Sequence, residues 1–218
     1  MPRFLDRERS LLVTTNMKVL YSSLCRQADL QLIGESRFLR EILTGRRHLH
    51  LMFARDPYDR LVSAWIDKFQ THPHWLGTPR FKGWQKIQYR CLDTLGIRRD
   101  AGDEVIRDAL LGVDFSFFMK QLPSLYWRDA HLRPQHYRMS LSVRALVRLF
   151  PLRIDELVRI EDMDHGHLLA DHGIDLGSIR ENATSHGPSS EYFTPALRAI
   201  ADRIYRKDFD RLGYSRHR

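Results

Sequence analysis

The chain has 218 residues, a length that suits one globular domain with a core of its own. Hydrophobic residues make up 43% and charged residues 28% of it, which excludes an intrinsically disordered protein. The formal net charge is +8, yet the lysines and arginines are spread along the chain without a dense basic tail. The charge favours a polyanionic partner, such as nucleic acid, a nucleotide phosphate, an acidic glycan or a lipid headgroup, while its scattered distribution disfavours nucleic acid among these.

Membrane and redox signals are weak throughout the sequence. No apolar run approaches membrane-spanning length, and residues 1–9 lack the apolar core of a signal peptide, so a cytoplasmic location is expected, with peripheral membrane contact left open. Cys25 and Cys91 are too few for a disulfide scaffold and are expected to be two buried thiols in a reducing compartment. No Cys/His spacing resembles a zinc site, and residues 165–167 are interpreted as a solvated turn, so no metal is predicted.

The first sixty residues alternate between strand and helix patterns. Residues 10–13 and 48–53 are short apolar runs that indicate strands, and residues 31–34 indicate a strand or a turn. Apolar residues at helical spacing predict the inward faces of two helices: Met17, Leu20 and Leu24, then Phe38, Ile42 and Leu43. Strands that alternate with helices predict an α/β fold, in which a parallel sheet is flanked by helices.

A strand-to-helix junction at residues 53–65 presents the parts of an anion site. Asp56 is a suitable N-cap, and Pro57 suits the first helical position, where a missing N–H costs nothing. Leu61, Trp65 and Phe69 then recur every four residues, as on a core-packed helix. Arg55 at the strand end and Ser63 in the helix are placed to hold a terminal phosphate. The alternative is that Arg55 pairs with a surface carboxylate and Ser63 is incidental.

The rest of the chain extends the same single domain, predicted over residues 1–218. Residues 71–102 are broken by Pro and Gly and are predicted to be a surface excursion. A helix is expected over residues 114–122 and a late strand over residues 157–160. A final helix is expected to begin at Thr194–Pro195 and to stop at Gly213.

Taken in order, these segments resemble the carbohydrate sulfotransferase family, which includes the chondroitin, dermatan and HNK-1 sulfotransferases and their bacterial relatives. Residues 55–69 are similar to the family's 3′-phosphate-binding motif, an Arg-Asp-Pro, Arg-Leu-Val-Ser, Lys-Phe run. Residues 131–135 resemble its His, Arg-Pro-Gln signature, and residues 157–163 its strand that ends in a Glu. Residues 191–214 resemble its closing helix.

The resemblance implies a P-loop-like α/β core and the sulfonate donor 3′-phosphoadenosine 5′-phosphosulfate, with no obligatory metal. It assigns the donor's 3′-phosphate to Arg55 and Ser63. Arg180 and Asn182, in the loop before the final helix, are candidate nucleotide contacts, and the alternative is that they are simply exposed surface residues. Residues 13–20 stand where the family has its 5′-phosphosulfate loop. The loop residues that the resemblance assigns to donor binding are Thr14, Thr15, Asn16, Met17 and Lys18. A turn that feeds a helix N-terminus suits an anion because free N–H groups and the helix dipole face it.

The chain departs from the family pattern just before this loop. Most relatives carry Pro-Lys there, and the lysine neutralises charge as the sulfonate leaves; this chain has Ser10 and Leu11. A glycine is also missing from the loop, so its backbone has less conformational freedom. Either Lys18 or a nearby arginine supplies the positive charge, or turnover is weak or absent.

Sulfonate transfer also needs a base that removes the acceptor hydroxyl's proton. His131 is the first choice, with Glu35 and His50 as runners-up. A carbohydrate acceptor is implied, and an acidic oligosaccharide or a lipid-linked sugar would each fit. Aromatic residues that can stack on sugar rings are Trp75, Trp84 and Trp127.

Two rival functions remain at this stage. One is a nucleotide- or acidic-glycan-binding module of the same fold that has lost turnover, which the missing Pro-Lys motivates. The other is a nucleic-acid-binding protein, which the charge of +8 motivates.

Overall fold

The computed structural model describes residues 2–44, 47–139, 153–176 and 187–216. The chain divides into two compact units. The first, called the sheet unit here, comprises Met1–Asp56, Gln135–Ala183 and Asp210–Ser215. The second, called the helical unit, comprises Pro57–Pro134, Thr184–Phe209 and Arg216–Arg218. The single-domain organisation expected over residues 1–218 stays a prediction.

The sheet unit is built on a mixed five-stranded sheet. Its strands are β1 (Arg3–Asp6), β2 (Leu11–Thr14), β3 (Gln31–Ile33), β4 (Leu49–Ala54) and β5 (Glu156–Arg159). Their order in the sheet is β3-β1-β2-β4-β5. Strands β2, β4 and β5 are parallel, while β1 is antiparallel to both of its neighbours. The sheet confirms the predicted α/β class, with two antiparallel pairings that the sequence pattern did not indicate.

Side chains that alternate along the strands bury both faces of this sheet. Phe4, Val13 and Phe53 lie on one face, which is covered by residues of α1 (Tyr21–Leu24) and α7 (His165–His172). On the other face, Leu5 and Leu12 pack against Phe38 of α2 (Glu35–Leu43). Because β2, β4 and β5 are parallel, Thr14, Ala54 and Arg159 end at the same edge of the sheet.

Two helix predictions in this unit need correction. The helix expected from Met17 onward is instead a turn, because Lys18 and Leu20 take left-handed φ angles of 69° and 55°, and α1 starts at Tyr21. Leu43 was expected to face inward, yet it is 78% exposed. It is the last residue of α2, one helical step away from the face that Phe38 buries.

The helical unit contains α3 (Pro57–Trp65), α4 (Lys86–Leu95), α5 (Asp103–Leu111), α6 (Phe115–Leu125) and α8 (Pro195–Leu212) up to Phe209. A π-helical segment, Ile66–Thr71, continues α3, and a 3₁₀ turn, His72–Trp75, follows it. Helix α3 begins at Pro57 as predicted. The side chain of Asp114 caps α6 by accepting from Phe117 N at 2.6 Å.

The surface excursion predicted over residues 71–102 is wrong for its second half. Helix α4 buries Ile87, Cys91 and Leu92, so this stretch contributes to the core of the helical unit. Gln85 and Gln88 form a capping box at its start, and Gly96 ends it at a φ of 72°. The sequence pattern missed the helix because its cap is a glutamine, which is not among the preferred capping residues.

Thiol and membrane features are simple in the described part of the chain. Cys91 is buried as expected, but Cys25 is exposed, and neither forms a disulfide. Burial raises the pKa of the Cys91 thiol to about 12, so it stays protonated at neutral pH. No helix among the described residues is long and apolar enough to cross a membrane. The cytoplasmic location stays a prediction.

Candidate active site

The turn after β2 folds back on its own backbone. The N–H of Thr15 donates to the Pro2 carbonyl at 3.2 Å, and the N–H of Val19 donates to the Asn16 carbonyl at 3.1 Å. The hydroxyl of Thr15 donates to the Val19 carbonyl. Thr15 and Asn16 are buried, whereas Lys18 is half-buried. The turn is therefore held from inside by buried polar side chains and offers its Lys18 end to solvent.

Left-handed residues shape this turn in place of the missing glycine. A left-handed conformation costs a residue with a Cβ roughly 1–2 kcal/mol, and both Lys18 and Leu20 adopt it. A strained backbone of this kind persists only where several surrounding contacts hold it in place, and strained residues are concentrated at functional sites. Helix α1 has four residues, which is too short to supply a helix dipole, so the turn itself must provide any anion contacts.

Asn16 places an incompletely satisfied amide in the turn. Arg138 donates from Nε to Asn16 Oδ1 at 2.9 Å, and both side chains are buried. Because Nε is a donor, the amide atom that faces it must be the oxygen, which fixes the orientation of Nδ2. Among the described residues, Nδ2 of Asn16 is buried and has no hydrogen-bond partner. An unmade buried hydrogen bond costs about 1–3 kcal/mol, which an acceptor on a bound ligand would recover.

His50 supports the start of the turn from β4. Its Nε2 lies 2.8 Å from the Thr14 hydroxyl, and its Nδ1 lies 2.9 Å from the Arg153 carbonyl. The carbonyl requires a proton on Nδ1, so Nε2 accepts from Thr14. The pKa of His50 is lowered to about 4, mainly because burial disfavours the charged ring. The charge of Arg3 also lowers this pKa, whereas the hydrogen bond to the Arg153 carbonyl raises it. Both ring nitrogens are engaged, which favours a supporting role over the role of base.

Glu35, the other runner-up base, begins α2 and accepts from Arg3 Nη1 at 2.9 Å. The Arg3 guanidinium also stacks on the Phe38 ring, with its central carbon 3.5 Å from the ring centroid. This buried arginine needs a counter-ion, and Glu35 provides it. The salt bridge with Arg3 gives Glu35 a structural role in the sheet unit.

Arg55 lies at the same edge of the sheet as the turn. Its Nη1 donates to the Lys18 carbonyl at 3.4 Å, so the guanidinium lies against the turn's backbone. The buried side chain of Gln135 clamps the Arg55 backbone: Oε1 accepts from its N–H at 3.0 Å, and Nε2 donates to its carbonyl at 2.6 Å. Gln135 is part of the Arg-Pro-Gln segment, and this clamp gives that segment a physical role.

The charges at this edge are mixed, with an excess of cations. Lys18, Arg55 and Arg138 are basic. Glu161 accepts from the Asp56 N–H at 2.7 Å and from the Tyr214 hydroxyl at 2.8 Å. Burial and the nearby Glu161 carboxylate raise the pKa of Tyr214, so its hydroxyl stays a donor. Sequence reasoning missed Arg138, and its position three residues after Gln135 was the available signal.

In the helical unit, Asp129 and His131 form an oriented pair. Asp129 Oδ1 lies 2.9 Å from His131 Nδ1 and also accepts from the His131 N–H at 2.8 Å. Burial opposes ionisation of Asp129, but the hydrogen bonds and charge of His131, together with Lys68, hold the pKa of that carboxyl below its ordinary value. An ionised Asp129 favours the proton on Nδ1 and leaves the lone pair on Nε2 of the partly exposed imidazole.

Two buried side chains hold the backbone around this pair. Arg60 of α3 donates to the His131 carbonyl at 3.3 Å and to the Arg133 carbonyl at 2.9 Å. Tyr205 of α8 donates to the Leu132 carbonyl at 2.6 Å, and burial raises its pKa. His131 therefore sits on a segment fixed by two helices, which suits a residue that must hold one orientation.

The remaining predicted residues fall into three groups. Ser63 lies in α3 and is 2% exposed, and Met17 is half-buried in the turn. Trp75 and Trp84 both pack against the ring of His72, while Trp127 is 47% exposed. The predicted nucleotide contacts lie outside the described residues: Arg180 and Asn182.

The sheet unit thus combines a five-stranded sheet with a turn, residues 14–18, that follows one of its parallel strands. The model of the sulfotransferase family matches residues 27–215 of this chain. The chain therefore belongs to the sulfotransferase family, whose general chemistry is sulfonyl transfer. The match includes Arg55, Ser63, His131 and Gln135, but it begins after the turn at residues 14–18. No curated protein and no solved structure matches the chain significantly.

Proposed function

We propose that this protein transfers a sulfonate group from 3′-phosphoadenosine 5′-phosphosulfate to a hydroxyl of a carbohydrate. The observation that carries the proposal is the position of the Arg55 guanidinium against the backbone of the Lys18 turn. A sulfotransferase needs an anion site where a strand ends, and this contact brings two cationic residues to one such place. Family membership supports the reaction class, while the donor and the acceptor are our inference.

The residues of the sheet unit fit an anionic donor. The unpartnered Nδ2 of Asn16, described above, supplies a donor that an oxyanion would satisfy. Lys18 and Arg55 supply positive charge, and Arg138 fixes the Asn16 amide. We assign the donor's 5′-phosphosulfate to the turn and its 3′-phosphate to Arg55. Ser63 stays a predicted contact that rests on the resemblance, and Arg180 and Asn182 stay candidate contacts.

The donor supplies a sulfur centre whose bond to the bridging phosphate oxygen breaks as the acceptor oxygen bonds to it. Lys18 stands in for the absent Pro-Lys by placing an ammonium at the turn, where negative charge develops on the leaving phosphate. His131 accepts the acceptor hydroxyl's proton on Nε2, and Asp129 stabilises the resulting imidazolium through Nδ1.

A carbohydrate acceptor agrees with two properties of the chain. Its net charge of +8 attracts acidic oligosaccharides. In the helical unit, His72, Trp75, Phe81 and Trp84 form an aromatic cluster, with the Phe81 and Trp84 ring centroids 4.7 Å apart. Partly exposed Trp75 and Trp84 offer ring faces of the kind on which sugars stack.

The alternative is a nucleotide- or glycan-binding module of the same fold without turnover. It is favoured by one observation, the presence of Ser10 and Leu11 where the family carries Pro-Lys. Such a module would retain Arg55 and the turn but would not need an oriented Asp129–His131 pair. That pair therefore favours the enzyme.

Two measurements on the full chain separate these functions. Calorimetry with 3′-phosphoadenosine 5′-phosphate tests the anion site, and transfer from sulfur-35-labelled donor to a panel of oligosaccharides tests turnover. Binding with transfer supports the enzyme, whereas binding without transfer to any acceptor supports the module. Absence of nucleotide binding contradicts the enzyme and the nucleotide-binding form of the module, and leaves only a glycan-binding module. A gel shift at physiological salt then tests the nucleic-acid rival, which depends on salt-sensitive phosphate contacts.

A further inference from the structure

A cluster of metal-ligating side chains lies in the sheet unit, apart from the residues assigned to the donor. Glu156 is the first residue of β5, and His167 and His172 belong to α7. One ligand atom from each of the three lies within 4.8 Å of the other two. Glu156 lies at the start of β5, whereas the residues that we assign to the sulfonate donor follow the ends of β2 and β4. The cluster therefore lies at the opposite edge of the sheet.

The distances in this cluster match metal coordination. Glu156 Oε2 lies 3.0 Å from His172 Nε2, and Glu156 Oε1 lies 3.5 Å from His167 Nε2. Zinc binds imidazole nitrogen and carboxylate oxygen at about 2.0–2.2 Å, which separates tetrahedral ligand atoms by roughly 3.3 Å. The distance from Glu156 to His172 is slightly shorter than this separation, and the distance from Glu156 to His167 is slightly longer.

A second carboxylate orients one of the histidines. Asp171 Oδ2 lies 2.9 Å from His167 Nδ1, the ring nitrogen that does not face Glu156. Metal-bound histidines almost always donate this second N–H to a carboxylate, a carbonyl or water, which fixes the tautomer and raises the basicity of the ligating nitrogen. The contact assigns the proton of His167 to Nδ1 and leaves the Nε2 lone pair toward Glu156.

The buried histidine of the cluster directs one ring nitrogen toward the carboxylate. His172 is 6% exposed, and its Nε2 lies 3.0 Å from Glu156 Oε2. Burial also holds the ring of His172 in place, so its Nε2 is a preorganised ligand.

We propose that Glu156, His167 and His172 form a binding site for a divalent transition-metal ion, with zinc as the best match, that joins β5 to α7. Two imidazoles and one carboxylate suit zinc better than magnesium or calcium, which prefer oxygen ligands. A water molecule completes four coordination. The ion stabilises the fold of the sheet unit and takes no part in sulfonate transfer.

The test uses the full chain, stripped of metal with a chelator, and zinc chloride alone. Calorimetry is expected to find one equivalent of zinc bound, and the melting temperature is expected to rise with zinc concentration. Cobalt(II) is expected to give the intense visible absorption of a tetrahedral site. If the wild-type chain binds no zinc under these conditions, the proposal is wrong.

Variants locate the ion. His167 is 48% exposed, so His167→Gln is expected to fold and to weaken zinc binding by at least tenfold. Asp171→Asn is expected to weaken it by about 10–100-fold, since it removes the orienting carboxylate. His74→Gln, which changes an exposed histidine of the helical unit, is the matched control and should bind zinc as the wild type does. Equal zinc affinity in His167→Gln, Glu156→Gln and the wild type would overturn the assignment.

Discussion

The residues that we assign to donor binding and the residue that we assign as base are held in different ways. In the sheet unit, the Lys18 turn is held by buried side chains such as Thr15 and Asn16, and its backbone is strained. In the helical unit, His131 is held from outside by Arg60 and Tyr205, which grip the carbonyls on either side of it.

This difference corresponds to the tasks that we assign to each part. An anion site needs several donors fixed around one volume, and buried networks with strained backbone provide such preorganisation. A base needs one correctly protonated ring in one orientation, which Asp129 and a fixed backbone provide. Substitutions in the two units should therefore separate binding of the donor from turnover.

The largest effect is expected from Arg55→Ala. Removal of the guanidinium forfeits two charge-assisted hydrogen bonds to the 3′-phosphate, each worth about 1.5–3 kcal/mol, so the affinity should fall by about 10²–10⁴-fold. Calorimetry with 3′-phosphoadenosine 5′-phosphate measures the loss. Arg40→Ala removes an exposed positive charge from the same unit and should bind nearly as the wild type does. A parental affinity in Arg55→Ala would place the anion site elsewhere.

His131→Gln is expected to reduce turnover and not donor binding. Loss of a general base should reduce kcat by about 10²–10⁴-fold while donor affinity stays unchanged. Single-turnover transfer of labelled sulfonate, together with nucleotide calorimetry, measures both quantities. If kcat is unaffected, the Asp129–His131 pair is structural; if affinity falls in parallel with kcat, the two units do not divide the work as proposed.

Lys18 tests whether a turn residue can act on turnover as well as on binding. Lys18→Ala keeps a Cβ in the left-handed position and removes the charge, so kcat should fall by about 10²-fold, more than the nucleotide affinity. Lys18→Gly removes the same charge and relieves the backbone strain. Equal losses in both variants identify the charge as the important feature. A larger loss in Lys18→Gly would show that the strained backbone contributes, and wild-type turnover in both would remove Lys18 from the mechanism.

A separate, pH-dependent effect concerns stability, through His50 beneath the turn. Its folded pKa of about 4 lies below the unfolded value near 6.5, so the unfolded chain binds the proton more readily. The neutral, buried His50 ring contributes roughly 3 kcal/mol to the free energy of unfolding. This contribution is complete above about pH 6.5 and is lost as the pH falls toward 4. Urea unfolding of the wild type and of His50→Gln across this range measures it, and equally steep pH dependence in both would contradict the assignment.

Local patterns predicted the parallel strands, the start of α3 at Pro57 and the closing helix from Pro195. The strands are short apolar runs and both helices begin at a proline, so neighbouring residues suffice to define these elements. Strand β1 escaped prediction because Arg3 and Asp6 are charged yet buried. Asp6 pairs with nearby Arg9, but the partner of Arg3 is Glu35, which no local window around β1 contains.

The residues of the candidate site also divide into those that a sequence motif identifies and those that depend on distant partners. Arg55 and Lys18 were identified from motif positions, and the structure brings them together. The contact of Arg138 with Asn16 joins residues 122 positions apart, and the clamp of Gln135 on Arg55 spans 80. Neither separation leaves a periodic trace in the sequence, so the residues that organise the site became apparent only in three dimensions.

The interior positions of β1 and β2 in the sheet have a practical consequence for recombinant work. A truncated chain that starts at residue 27, where the family match begins, would lose β1 and β2 together. Strand β3 would be left without a neighbour, and β4 would present an unpaired edge to other molecules. Such a fragment is expected to form inclusion bodies when expressed, although it retains nearly all of the residues by which its family is recognised.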